Sequence, residues 1–177
     1  MRIAGGILKR KRLFYPGSGV RPTKNMTRQA IFNVLGESVK DARICDLFAG
    51  GGALGIEAIS RGAIEAVFVE KSKKVLWFLK ENIAGLKNVR IIKGDVFTVM
   101  PRLKDKGFDI VFADPPYSQG LAKRLVAVVA QNRLVKVGGL LILEHSQRDL
   151  PDVPQGWEKI KTKSYGESLV TFFRRIK

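Results

Sequence analysis

Four groups of residues in this chain have types and spacing suited to chemistry. The most specific is Asp114-Pro115-Pro116-Tyr117. Proline fixes φ and lacks an N–H, so two in succession leave a rigid run of carbonyl acceptors. With the Asp114 carboxylate, that run suits a planar base bearing an exocyclic NH2. The amine donates to Asp114 and to the Pro115 carbonyl, and the ring stacks on Tyr117. The second group is Asp46 to Gly55, where Gly50, Gly52 and Gly55 form G-x-G-x-x-G after an apolar run. Such a turn brings backbone close to a ligand, and by itself it fits a dinucleotide or an S-adenosyl ligand. The third is Glu70, 15 positions after Gly55 and followed by Lys71. A carboxylate there can accept the hydroxyl hydrogens of a ribose. The fourth is Asp95, after Gly94, which can accept a hydrogen bond from an adenine amino group.

An open α/β sheet would bring these groups together. Apolar strands at 44–48, 66–70, 89–92, 108–113 and 140–143 alternate with helices at 53–61, 72–85, 96–103 and 119–135. That rhythm predicts a doubly wound, mostly parallel Rossmann-like sheet. Glu70, Asp95 and Asp114 then close three strands at the sheet edge where ligands of such folds bind. Residues 157–164 and 169–173, joined through Gly166-Glu167, must pair antiparallel, which makes seven strands ending in a hairpin. Before the sheet, residues 2–14 read as a small hairpin turning at Gly5-Gly6. A Gly- and Pro-rich loop follows over 15–25, then a helix over 28–38 capped by Thr27.

The charge is uneven. The 177 residues carry 32 Lys+Arg against 16 Asp+Glu, a net of +16. Residues 1–36 hold eight cations and no acid, and residues 157–177 add a net +4. Basic segments flanking a near-balanced middle read as a polyanion-binding surface. The division expected is a basic N-terminal arm over 1–25 and a catalytic domain over 26–177. One cysteine and one histidine exclude an internal disulfide and a Cys/His zinc site, and no metal is expected. No apolar run nears the ~20 residues that span a bilayer, and no secretory h-region opens the chain, so a cytoplasmic protein is expected. His145, Cys45, Trp77 and Phe78 read as structural residues. Phe14 and Tyr15, beside the basic run, fit base stacking and domain packing equally.

Taken together, the glycine motif, Glu70, Asp95 and the Asp-Pro-Pro-Tyr loop resemble a class I S-adenosylmethionine-dependent methyltransferase acting on an amino nitrogen. Several further segments resemble the bacterial RsmD family over residues 1 to about 145. These are Met1 to Gly6, Arg21-Pro22-Thr23, Thr27 to Leu35, Asp46 to Gly50, Ser60 to Ala63 and Phe68 to Lys71. Gly51 departs from the pattern, which usually has Ser there.

The resemblance implies methyl transfer from S-adenosylmethionine to N2 of a guanine in 16S ribosomal RNA, guanine 966 in the family. The substrate would lie within a small-subunit particle, and the enzyme would act as a monomer. By the same resemblance, Asp114, Pro115 and Tyr117 hold the guanine. Asp46, Phe48, Ala49, Gly50, Gly52, Gly55, Lys71 and Asp114 touch the cofactor, with Glu70 on its ribose and Asp95 and Val96 on its adenine. Thr23 and Arg28 belong to a segment folding over the methionine end. Arg2, Lys9, Arg10, Lys11, Arg12 and Arg21 grip RNA. Four other readings stay open at this point. An adenine-N6 methyltransferase would share the loop chemistry. A glutamine-N5 protein methyltransferase would share it too, without needing the basic arm. A non-catalytic RNA-binding module leaves the Asp-Pro-Pro-Tyr loop unexplained. An NAD dehydrogenase fits the glycines alone.

Overall fold

In the computed structural model, the described residues are 1–16, 25–117 and 120–177. Seven strands form one sheet: β1 Arg43–Leu47, β2 Glu65–Glu70, β3 Val89–Lys93, β4 Phe108–Ala113, β5 Val135–Ser146, β6 Trp157–Tyr165 and β7 Ser168–Arg175. Their order is β3-β2-β1-β4-β5-β7-β6. The first five strands pair in parallel, and β7 lies antiparallel between β5 and β6. The expected architecture is therefore present. The chain builds outward from β1 to β3 and then returns to place β4 against β1. That reversal opens the crevice in which open α/β sheets bind ligands.

The core follows the strand period of two. Ile44, Phe68, Ile110, Phe112 and Phe172 pack on one face, and Cys45, Leu47, Val67, Val111 and Phe173 on the other. Among the described residues, five α-helices flank the sheet: α1 Asn25–Leu35, α2 Ala53–Ser60, α3 Lys73–Ile83, α4 Val96–Val99 and α5 Leu121–Gln131. Among the described residues, no helix is long and apolar enough to cross a membrane.

The structure corrects three local readings. Thr27 does not cap α1; the helix starts at Asn25, and Thr27 is buried within it. α5 stops at Gln131 rather than 135, because Arg133 takes the left-handed conformation and the Leu134 N–H closes the helix end on the Val129 carbonyl. Leu134 and Val135 are apolar because the sheet buries them, so the apolar pattern ran past the helix end. Third, Gly5-Gly6 is not the hairpin turn. Arg2 and Arg12 form a single antiparallel bridge, and the chain reverses over residues 7–10 with Arg10 at φ 74°. The glycines serve close approach instead, since a side chain at Gly6 would run into the Ser60 carbonyl.

The N-terminal segment is built onto the sheet domain. Ile3 and Leu13 lie in the same core as Ile31 and Phe32. Glu57 on α2 accepts the amides of Ala4 and Gly5, each at 2.8 Å, and the Ile7 amide bonds the Ser60 carbonyl.

Candidate active site

A cleft of about 420 Å³ opens at the carboxyl ends of β1, β2, β3 and β4. Its floor is the turn between β1 and α2. Phe48, Gly50 and Gly52 all have positive φ there, at 59°, 57° and 83°. The glycines also admit neighbours. A methyl group at Gly55 would run into the Phe68 ring, so α2 can approach β2 only with glycine at that position.

Two carboxylates fasten this turn. Asp46, buried at the end of β1, accepts the Gly55 amide at 3.0 Å, at the start of α2. Burial pushes its carboxyl up to about 8, and the nearby Asp114 and Glu70 charges add to that. Glu70 divides its oxygens: Oε2 accepts the Gly50 amide at 2.9 Å and Oε1 the Ser72 amide at 2.8 Å. Each oxygen keeps a further lone pair, and Glu70 lines the cleft.

Asp46, Phe48, Ala49 and Gly50 line the cleft from β1, Glu70 and Lys71 from β2, and Val96 from the start of α4. Asp95 stands just behind that wall, between Gly94 and Val96. Its Oδ1 caps α4 by accepting the Phe97 amide at 3.0 Å, and its Oδ2 lies 3.6 Å from Lys71 Nζ. Gly52 and Gly55 shape the turn from beneath without lining it.

On the β4 side, Asp114 and Pro116 complete the wall, and Pro115 between them is buried. Tyr117 turns to the other side of this loop. It is half exposed, and its hydroxyl donates to Glu144 Oε1 at 2.8 Å and hydrogen-bonds the Ser168 hydroxyl. Burial and the Glu144 carboxylate push its phenol up to about 12. Tyr117 lines a second cavity of about 490 Å³ with Ser146, Arg148 and Glu167. The Asp-Pro-Pro-Tyr loop thus divides two concavities, with Asp114 facing the first and Tyr117 the second.

Other expected residues lie elsewhere. Arg28 is not on the cleft wall. It is fully buried, with Nε 3.3 Å from Glu57 Oε2, Nη2 on the Arg2 carbonyl and Nη1 on the Met1 sulfur. Its guanidinium ties Met1 and Arg2 to Glu57 of α2 and Asn25 of α1. Thr23 and Arg21 lie outside the described residues. Arg2, Lys9, Arg10 and Arg12 are exposed and Lys11 partly so. Among the described residues, none of these five pairs with a carboxylate.

His145 is buried and satisfied by the Thr171 hydroxyl and the Ser146 carbonyl, and burial holds its pKa down. Cys45 is fully buried and burial pushes its thiol up, so it is inert. Trp77, expected to pack, is 59% exposed on α3.

Sequence reasoning missed Glu57, Asn82 and Glu144. Asn82 is buried on α3. It accepts the Phe14 amide at 2.7 Å and donates to the Phe14 and Gly51 carbonyls, each at 2.9 Å. The only available signal was a polar residue one position before Ile83 on the apolar face. Tyr15, which fitted two roles, packs on the glycine turn and lines the cleft.

The site fits S-adenosylmethionine, the donor used by this class of fold. It joins a close-approach glycine turn, an anchored carboxylate at the end of β2 and an apolar stretch at Val69, Val75 and Val96. Comparison with known proteins agrees. The family model described as conserved hypothetical protein 95 matches residues 1–174. Ribosomal RNA small subunit methyltransferase D of Escherichia coli is 34% identical over 179 residues, covering 99% of this chain and 90% of the relative. The same-named protein of Buchnera aphidicola from Acyrthosiphon pisum is 36% identical over 163 residues, covering 91% and 85%. Among solved structures, the methyltransferase candidate yhhF of Escherichia coli aligns with a TM-score of 0.88 at 32% identity, covering 99% and 98%. From its first residues to its last strand, then, the chain belongs to the family of ribosomal RNA small subunit methyltransferase D.

Proposed function

We propose that this protein methylates the exocyclic N2 amine of a guanine in small-subunit ribosomal RNA, guanine 966 by family likeness. It would act as a cytoplasmic monomer on a small-subunit particle. The observation that carries the reading is the placement of Asp114 and its proline loop on the wall of the donor cleft, beside the glycine turn. S-adenosylmethionine, when bound, supplies a sulfonium-activated methyl group. The chain's own residues position and bind. Glu70, anchored by two amides, offers its remaining lone pairs to the ribose hydroxyls, and Val96 and the backbone near Asp95 border the adenine.

A guanine amine is a poor nucleophile because its lone pair is delocalised into the ring. Hydrogen bonds from its NH2 to the Asp114 carboxylate and the Pro115 carbonyl localise that pair and aim it at the cleft. Methyl transfer would form the N–C bond at this amine and break the donor's C–S bond, and the amine's extra proton would pass to water. Alignment supplies most of the rate in such a transfer. The target base must first leave its stack, which single-stranded RNA permits cheaply. The arm over residues 1–25 supplies phosphate contacts through Arg2 and Lys9 to Arg12, with Arg21 in the same role. Among the described residues, Arg2, Lys9, Arg10 and Arg12 are exposed, Lys11 is partly so, and none of the five forms an ion pair with a carboxylate.

The test is nucleoside analysis after incubating the protein with unmethylated small-subunit RNA, free and in particles, and labelled donor. Label in N2-methylguanosine supports the reading. Label in N6-methyladenosine replaces it with the adenine alternative, and no label in either would sink both.

A further inference from the structure

Gly51 is the one glycine of the Gly50-Gly51-Gly52 run whose backbone does not require glycine, since it lacks the positive φ of its neighbours. A side chain is excluded there for a different reason. A Cβ at position 51 would lie 2.5 Å from Tyr15 Cε1 and 2.8 Å from Cζ, where contacts below about 3 Å force a rearrangement. The Tyr15 ring occupies the space that a side chain at position 51 would need. Asn82 fixes it there by tying the Phe14 peptide to the Gly51 carbonyl. The ring lines the donor cleft, and its hydroxyl lies 3.5 Å from the Met1 sulfur.

We propose that Tyr15 is a donor-binding residue contributed by the N-terminal segment, and that it walls the amino-acid end of S-adenosylmethionine. The sheet order sets that end. With adenine near Val96 beyond β3 and ribose on Glu70 at β2, the rest of the donor extends across the glycine turn at β1. Tyr15 meets it there, with Asp114 of β4 beyond. The inference rests on the donor reading of the cleft. It assigns a residue that the glycine motif does not contain and accounts for the absence of a side chain at position 51. It also makes the segment bearing Lys9 to Arg12 part of the donor site.

The experiment measures binding of S-adenosylhomocysteine and of 5′-methylthioadenosine, which lacks the amino-acid end, by calorimetry on the full chain. Tyr15→Ala should weaken S-adenosylhomocysteine about tenfold or more, about 1.4 kcal/mol, and leave 5′-methylthioadenosine within about twofold. Tyr15→Phe, which keeps the ring, should stay near wild type. Gly51→Ser alone should weaken S-adenosylhomocysteine. Added to Tyr15→Ala, it should cost far less, because contacting residues are coupled. Equal weakening of both ligands would make Tyr15 merely structural and overturn the proposal. So would unchanged or tighter binding of S-adenosylhomocysteine, or strict additivity of the two substitutions. Failure of wild type to bind either ligand would instead overturn the donor reading itself. Thermal melting of each variant separates loss of fold from loss of binding.

Discussion

Arg28 and Glu57 form an ion pair sealed from solvent, with Nε and Oε2 3.3 Å apart. Glu57 is also the acceptor for the amides of Ala4 and Gly5 and for Arg61 Nε, each at 2.8 Å. One carboxylate therefore joins α1, the end of α2 and the first residues of the chain. Removing one member leaves a buried charge with lost partners. Arg28→Ala should cost about 3–5 kcal/mol of folding stability. Urea unfolding checks it, and a loss under about 1 kcal/mol would contradict the assignment.

Asp114→Ala should abolish methyl transfer while leaving RNA affinity nearly intact, because it removes one acceptor among many phosphate contacts. Single-turnover rates and filter binding measure the two effects. A variant retaining more than about a tenth of its rate, under 1.4 kcal/mol of barrier, would mean that Asp114 does not hold the nucleophile.

Glu70→Ala removes the acceptor for the Gly50 and Ser72 amides as well as the ribose contact. Donor affinity should fall by about 1–3 kcal/mol, the range for buried polar groups left unpaired. Titration calorimetry with S-adenosylhomocysteine reads it, and unaltered affinity would move the ribose elsewhere.

Asp46 carries the pH dependence. Its folded pKa, about 8, lies above its ordinary value of 3.8. Between those values the unfolded chain has released this proton and the folded chain retains it. Its contribution to stability is thus present at low pH and is lost as pH rises toward 8, by at most about 1.4 kcal/mol per pH unit. Asp46→Asn retains an acceptor for Gly55 and removes the titration. Relative to wild type, it should gain stability steadily from pH 5 to pH 8 in urea unfolding. A constant difference across that range would show that Asp46 does not titrate there.

The arm should act through charge. RNA affinity should fall with salt by roughly 0.7–0.9 in log-log slope per neutralised phosphate. Replacing Lys9, Arg10, Lys11 and Arg12 with Ala should flatten that slope and weaken all RNA sequences alike. Folding should change little, because exposed charges contribute little to stability. An unchanged slope would shift RNA contact to the cations of the last twenty residues.

The local signals in the sequence determined the sheet and the cleft's main residues. Period-two apolar strands, glycines at a strand-to-helix turn and acids at strand ends each follow from neighbouring residues and a repeating geometry. For that reason β4 at Phe108–Ala113 was legible to the residue. Contacts between segments distant in sequence were left to the tertiary structure. Arg28 read as a cofactor residue because its motif was visible, whereas its partner Glu57, 29 positions away, was not. Tyr15 could be placed only once Asn82, 68 positions from Phe14, was seen to hold the chain against Gly51. The Gly5-Gly6 dipeptide has the composition of a tight turn and serves close approach to Ser60 instead. Local sequence reports the conformations a residue allows, and which neighbour makes use of that allowance is decided by packing.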